Sequence, residues 1–266
     1  MSNLLEAKTM VDEDPWSSLK KFTVARIALG RTGNAIPLEQ ALALKLAHAH
    51  AKDAVFSELN KETLSTFLSF TGLPIINLAS KATNRMEYLQ RPDLGRSLHQ
   101  TSFLRLKNIA KETYDIAIVI ADGLSATAVN KHSVQLLARL IPALTSARIT
   151  IAPLTIVTQA RVAIADEIGF WLKCRLSLIL IGERPGLSAP HSMGAYLTWA
   201  PQAGLTDESR NCISNIHNEG LSYDEAADKI MYLVKEALRT QLTGIQLKDY
   251  NQRRKDSLGE RPKSLD

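Results

Sequence analysis

The sequence is poor in cysteine, in aromatic residues and in long apolar runs. Its 266 residues include two cysteines, Cys174 and Cys212, and only 6% aromatic residues. Two cysteines are too few for a disulfide framework or a cysteine-rich zinc site, which favours a reducing cytoplasm. No window holds the ~20 apolar residues of a membrane span, and residues 1–16 lack the pattern of a secretory signal. We therefore expect a cytoplasmic protein with no membrane partner.

Sequence motifs for nucleotide binding and hydrolysis are also missing. No strand-like run is followed by Gly-x-Gly-x-x-Gly or by the Walker sequence Gly-x-x-x-x-Gly-Lys-Ser/Thr. Gly123-Leu124-Ser125 lacks the second glycine of a nucleophile elbow, so Ser125 is expected to cap a helix instead. The six histidines show no ligand spacing, and the adjacent Asp166 and Glu167 fit a solvated pair on a helix. The chain by itself therefore offers no complete catalytic set and no metal site.

The charge balance does not favour a nucleic-acid partner. The net charge of +5 includes basic residues of the polar tail, among them Arg253, Arg254, Lys255, Arg261 and Lys263. Proteins that bind single-stranded nucleic acid interleave basic residues with aromatic ones, and aromatic residues are scarce here. We expect these charges to be solvated.

The first part of the chain is predicted to be helical. Pro37 precedes a stretch rich in Ala, Leu and Lys, which predicts a helix over Leu38 to Leu59. A second helix is expected from Glu62 to Phe70, before Gly72 and Pro74 interrupt the pattern.

Strands and helices alternate after Asp115. The apolar runs Ile116 to Ala121 and Leu176 to Ile181 are typical of strands buried on both faces. The remaining elements are a broken strand over residues 149–157, an outer strand over 196–199, and helices over 126–140, 161–173 and 222–242. The last of these helices begins at Ser222, with Glu225 three residues later as in a capping box.

This order predicts an α/β fold with a Rossmann-like open, mostly parallel sheet. We expect helices on both faces of the sheet and a helical region before it. The predicted division is residues 1–110 as the N-terminal helical region, 111–249 as the α/β domain, and 250–266 as a polar, disordered tail. Ligands of such sheets bind at the carboxyl ends of the strands, which are here residues 122–125, 158–161 and 182–186.

Several ordered stretches of the chain resemble the ethanolamine ammonia-lyase light chain, also called the small subunit. They are Phe22 to Arg31, Arg91 to Arg96, Ile120 to Ala126, Gln159 to Ala163, Leu180 to Ser188 and Arg210 to Ile216. The similarity runs from about Asp14 to Asp249, in the family's order.

The resemblance implies a subunit of a carbon–nitrogen lyase that converts ethanolamine to acetaldehyde and ammonia by a radical rearrangement. It implies a hetero-oligomer in which a heavy chain carries the substrate site and adenosylcobalamin lies between the two subunits. In such an enzyme the cofactor supplies the radical chemistry, and the protein supplies position and shielding. The resemblance leaves two locations open, the free cytoplasm and a bacterial microcompartment.

Three positions match the family's cofactor contacts, namely Val162, Glu183 and Cys212. From spacing alone, Val162 also fits plain core, Cys212 a small buried residue, and Glu183 an ion pair with Arg184. No histidine fits the Asp-x-His-x-x-Gly motif that replaces the cofactor's own base. We therefore expect base-on cobalamin whose cobalt is not ligated by this chain.

Two other classes of protein remain as alternatives. A stand-alone Rossmann-like oxidoreductase with a nicotinamide cofactor would need a glycine-rich first turn and an acidic residue about 20 positions later. A nucleic-acid-binding protein would need basic and aromatic residues on one face. The sequence supplies neither pattern clearly, whereas it does supply the ordered motifs of the light chain.

Overall fold

The computed structural model describes residues 10–109 and 112–247. The basic tail and the segment expected to be disordered, residues 250–266, lie outside the described residues.

The N-terminal part is helical, as predicted. A short 3-10 helix, Ser17–Phe22, precedes α1 (Leu38–Phe56) and α2 (Lys61–Leu68). Pro37 stands immediately before α1, and Asn60 caps α2 by accepting a hydrogen bond from the amide of Thr63. The first helix ends three residues before the predicted Leu59.

The same part of the chain also supplies a strand that the sequence did not predict. β1 (Ile75–Ala79) pairs in parallel with β3 (Leu154–Thr158). The short helices α3 (Arg85–Gln90) and α4 (Gln100–Ile109) follow it and were also missed. The sheet therefore takes one of its strands from the stretch expected to be purely helical.

The α/β prediction is confirmed by the remaining elements. They are β2 (Tyr114–Ala121), α5 (Ala126–Ser146), α6 (Ile164–Trp171), β4 (Cys174–Gly182), β5 (Met193–Trp199), β6 (Arg210–Ile216) and α7 (Tyr223–Thr240). Ser125 caps α5, and the predicted capping box of Ser222 and Glu225 opens α7.

The six strands form one mixed sheet in the order β1-β3-β2-β4-β5-β6. The first four strands in this order are mutually parallel, whereas β5 is antiparallel to both β4 and β6. The strand expected over residues 196–199 is therefore internal, and the outer strand on that side is β6, which the sequence did not predict. An antiparallel edge on an otherwise parallel sheet is common in α/β proteins.

Helices pack on both faces of the sheet. On one face, α5 and α7 build a core with side chains such as Ile118, Leu140 and Leu233. On the other face, α6 packs on β2 and β4 around Val119, Ile168 and Ile179. The two faces of β5 and β6 differ, because α7 lies over only one of them.

Candidate functional site

The carboxyl ends of β2 and β4 approach each other closely. Gly123 has φ +56, and a Cβ atom at this position would lie 2.2 Å from the carbonyl oxygen of Gly182. The amide of Leu124 donates a hydrogen bond to that same oxygen at 2.9 Å. Glycine is therefore required where the loops after β2 and β4 leave the sheet.

Val162 lies in the turn between β3 and α6. It is half-buried and packs against the core on the α6 face of the sheet. The helix begins at Ile164 and not at Arg161, so the prediction of a helix start at Arg161 was wrong. The amide of Arg161 donates to the carbonyl of Gly95 at 2.8 Å, and it therefore does not face a ligand.

Glu183 follows β4 directly and is half-buried. Its carboxylate accepts hydrogen bonds from the hydroxyl of Ser192 and, at 3.3 Å, from the amide of Asn215. A Cβ atom at position 194 would lie 2.9 Å from Oε1 of Glu183, so Gly194 makes room for the carboxylate. Among the described residues no ion pair joins Glu183 to Arg184, so the alternative that Glu183 serves only to pair with Arg184 is wrong.

Cys212 lies in the middle of β6 and is exposed, so it is not a small buried residue. It stands opposite Tyr196 of β5 in the strand pairing. Partial burial raises the pKa of the Cys212 thiol. The thiol therefore stays neutral near pH 7 and offers a soft, uncharged contact instead of a nucleophile.

These side chains share one surface, which we call the open face, made of Val162, Glu183, Tyr196, Cys212 and Ser214. Val162 and Tyr196 both pack on the α6 side of the sheet, and Cys212 pairs with Tyr196 across the strands. A Cβ atom at Gly194 would touch both Glu183 and the ring of Tyr196, so Glu183 lies on the same side of the sheet as Tyr196. Cys212 and Ser214 are exposed there, while Ile213 and Ile216 point into the opposite core.

A cavity of about 560 Å³ adjoins the open face at Val162. Its walls include Arg161, Thr206 and Arg210. The Nε atom of Arg161 is buried and has no hydrogen-bond partner among the described residues. The cavity is therefore polar on the side that faces these arginines.

Arg210, which lines this cavity, belongs to a buried ion pair. Arg210 Nη2 lies 2.7 Å from Asp166 Oδ2, and both side chains are 2% exposed. Burial raises the pKa of Asp166 to about 6, even though Arg210 acts in the opposite direction. The neighbouring Glu167 accepts a hydrogen bond from the amide of Leu98 at 2.8 Å. The expectation that Asp166 and Glu167 form a solvated pair was therefore wrong.

Sequence reasoning missed Tyr196, Asp166 and Arg210 as parts of this region. The one available signal was the mixture of polar and apolar residues in Arg210 to Ile216, where Arg210, Ile213 and Ile216 are buried. This pattern does not alternate, because a register shift near Met193 separates Ile213 from Ile216 and because Arg210 is buried on the other face by Asp166.

Neither a membrane span nor a metal cluster is found in the described part of the chain. No helix there is long and apolar enough to cross a bilayer. No group of three or more His, Cys, Asp or Glu side chains within residues 10–109 and 112–247 is arranged to hold a metal ion.

Comparisons with known proteins agree on one family. The family model described as ethanolamine ammonia-lyase light chain matches residues 13–248. The ethanolamine ammonia-lyase small subunit of Pseudomonas paraeruginosa is 50% identical over 240 residues, which cover 89% of this chain and 88% of the relative. The small subunit of Azotobacter vinelandii is 50% identical over 240 residues, covering 89% of each chain. That of Pseudomonas putida KT2440 is 48% identical over 248 residues, or 92% of this chain and 91% of the relative. The chain belongs to the ethanolamine ammonia-lyase light chain family.

Proposed function

We propose that this chain is the cobalamin-holding small subunit of an adenosylcobalamin-dependent ethanolamine ammonia-lyase. The observation that carries the proposal is the open face, where Val162, Glu183 and Cys212 lie on the side of the sheet opposite to α7. Family membership supports the identity of the enzyme, and the open face supports the role of this chain within it.

The open face suits the chemistry of a corrin ligand. A corrin is a broad apolar disc fringed by neutral amides, so it needs apolar contact and a few well-oriented polar anchors. Val162 offers an apolar edge, and the neutral thiol of Cys212 allows close approach. The carboxylate of Glu183 is oriented by Ser192 and Asn215, and it retains acceptor capacity for an amide or a ribose hydroxyl.

The residues of this chain bind and orient, and the reaction takes place elsewhere. When bound, adenosylcobalamin supplies the radical chemistry that converts ethanolamine to acetaldehyde and ammonia. The open face carries no activated nucleophile, and Glu183 is engaged by two donors. We therefore assign no catalytic residue to this chain and assign the substrate site to the large subunit.

We propose that cobalt keeps the cofactor's own dimethylbenzimidazole as its lower ligand. His217, in the loop after β6, is already engaged, since its Nε2 lies 2.9 Å from Asn215 Oδ1. No histidine of the sequence stands in an Asp-x-His-x-x-Gly motif. Electron paramagnetic resonance of cob(II)alamin bound to the ¹⁵N-labelled complex tests this point. Coupling of the unpaired electron to a protein nitrogen would contradict base-on binding.

We propose that the large subunit docks on the N-terminal segment, residues 10–56. This segment exposes large apolar side chains, among them Trp16 at 68%, Phe22 at 76% and Leu38 at 74%. A hollow of about 780 Å³ separates residues 11–32 from the start of α1. Several large apolar side chains exposed on one segment are typical of a protein interface, and a subunit of a hetero-oligomer needs one. On this reading residues 1–110 contact the large subunit, and residues 111–249 carry the cobalamin contacts.

The decisive experiment measures cofactor retention by the assembled subunits. The chain is co-expressed with its large subunit, loaded with adenosylcobalamin and passed over a gel-filtration column. We expect corrin absorption to elute with the complex and acetaldehyde to form only when both subunits are present. Turnover by this chain alone, or retention of a nicotinamide cofactor in place of the corrin, would overturn the proposal.

A substitution at Glu183 locates the site on the open face. Glu183→Ala should weaken cofactor binding by about 1–3 kcal/mol, since a buried polar group of the ligand loses its partner. The control is Glu219→Ala, because Glu219 is an exposed acidic residue in the loop after β6. Equal affinity in the two variants would remove Glu183 from the site.

A further inference from the structure

The carboxylate of Asp122 joins the ends of two neighbouring strands. Asp122 directly follows β2 and is 3% exposed. Its Oδ2 atom accepts a hydrogen bond from the amide of Gln159 at 2.7 Å, and its Oδ1 atom accepts one from the amide of Ala160 at 3.0 Å. One side chain in the loop after β2 therefore accepts hydrogen bonds from two consecutive backbone amides after β3.

The turn that receives these hydrogen bonds is strained. Gln159 has φ +55, in the left-handed region that residues with a side chain rarely adopt. Such a conformation persists only where surrounding contacts enforce it. The turn leads directly into Val162, so its conformation sets where that side chain enters the open face.

Three further contacts close the turn from its other sides. The carbonyl of Gln159 accepts from the Ser80 hydroxyl at 2.6 Å, and the carbonyl of Ala160 accepts from the Tyr88 hydroxyl at 3.0 Å. The amide of Arg161 donates to Gly95. Asp122 is the only one of these partners that holds two consecutive amides. Burial raises the pKa of its carboxyl, while the two amide hydrogen bonds and the guanidinium of Arg85 act in the opposite direction.

We propose that Asp122 is a positioning residue for cobalamin, which acts by fixing the turn that presents Val162. This inference rests on the proposed function of the open face. Asp122 is buried beneath the turn, and its side chain bonds to residues 159 and 160, which directly precede the stretch that carries Val162. Preorganisation of a contact residue by a buried hydrogen-bonding partner commonly affects ligand affinity strongly, because small displacements of the contact are sufficient to lose it.

Asp122→Asn tests the inference with little change in shape. The amide group can still accept one of the two hydrogen bonds, but its NH₂ faces the second amide, so the turn should relax. In the complex with the large subunit we expect the Kd for adenosylcobalamin to rise about tenfold. The kcat at saturating cofactor and the association of the subunits should stay at their original values, because Asp122 touches neither the reacting atoms nor the N-terminal segment.

Asp115→Asn is the matched control at the opposite end of β2. Asp115 also accepts from a backbone amide, that of Thr150 at 2.9 Å, and it pairs with Arg175 at 3.2 Å. It therefore performs the same structural task of joining β2 to the segment before β3, far from the open face. Both variants should unfold at lower urea concentration, but Asp115→Asn should retain cofactor like the original chain.

Equal cofactor affinity of the Asp122→Asn and Asp115→Asn complexes would overturn the inference and leave the proposed function intact. Failure of the unsubstituted complex to retain any corrin would instead remove the proposed function, and this inference with it. If Asp122→Asn gives no folded protein, Ser80→Ala removes a single hydrogen bond from the same turn. A Kd unchanged by that substitution would then count against the inference.

Discussion

The N-terminal segment and the sheet differ in how far their apolar side chains are exposed. In the sheet, residues 116–121 of β2 are fully buried between helices on both faces. In the N-terminal segment, α1 buries only Ala47, Ala51 and Ala54, while Leu38, Leu42 and Leu46 are more than half exposed. The sheet therefore completes its own core, whereas the N-terminal segment presents a surface that a partner would complete.

The buried ion pair of Arg210 with Asp166, on the sheet side of this comparison, gives the largest expected effect. Arg210→Met would leave the Asp166 carboxylate buried without its partner, which costs about 3–5 kcal/mol of the free energy of unfolding. Urea denaturation at pH 7 measures the loss. Arg91→Met, which breaks the exposed pair of Arg91 with Asp93, is the control and should change stability little. Similar urea midpoints for the two variants would contradict the assignment of a tightly buried pair.

Two leucine substitutions in helices compare burial directly. Leu140 of α5 is 0% exposed, whereas Leu42 of α1 is 54% exposed. Leu140→Ala should lower the free energy of unfolding by about 2–5 kcal/mol, because it removes buried contacts and leaves a cavity. Leu42→Ala should change it by less than about 0.5 kcal/mol. A large loss of stability in the isolated chain on Leu42→Ala would mean that the Leu42 side of α1 also packs against the rest of the chain.

Substitutions in the N-terminal segment should instead affect the association of this chain with the large subunit. Trp16→Ser should weaken binding of the large subunit by about 2 kcal/mol, as is usual for a buried aromatic contact, while the isolated chain keeps its stability. Calorimetric titration of the two subunits measures the change. Lys52→Ser, at an exposed polar position of α1, is the matched control. Unchanged affinity in the Trp16 variant would place the interface elsewhere.

The smallest expected contrast is a dependence on pH. Burial lowers the pKa of His132 to about 4, and the nearby His217 and Lys131 act in the same direction. The unfolded chain takes up this proton near pH 6.5, so stability from the neutral ring is lost as the pH falls from about 6.5 towards 4.

His132→Gln isolates this effect from Asp166, whose raised pKa of about 6 acts with the opposite sign. The variant should lose less stability than the original chain between pH 7 and 5, as measured by urea unfolding. His48→Gln, on the exposed side of α1, should follow the original chain throughout. If the stability of His132→Gln changes with pH as that of the original chain does, the His132 ring does not contribute to the pH dependence.

Much of the parallel sheet could be predicted because its signals are local. The mainly apolar runs of β2 and β4 are typical of strands covered on both faces. The capping residues Ser125 and Ser222 mark the starts of α5 and α7 through hydrogen bonds within three residues. These features need no knowledge of the rest of the chain.

The strands β1 and β6 could not be predicted in the same way. β1 is only five residues long and is stabilised by pairing with β3, which lies more than 70 residues away in sequence. β6 carries Arg, Asn, Cys and Ser, so its composition does not distinguish it from a loop. Ile213 and Ile216 are buried on the α7 side and Arg210 against Asp166 of α6, and none of this burial can be read from the local sequence.

The sequence by itself determined the α/β class, the capped helices and, through its ordered motifs, the family. Tertiary structure alone decided that Val162, Glu183 and Cys212 share a face and that Asp166 is buried against Arg210. The reason is that helix caps and apolar periodicity act over a few residues, whereas a shared face depends on which strands pair and which helix covers them. The assignment of this face to cobalamin stays a prediction for the assembled enzyme to test.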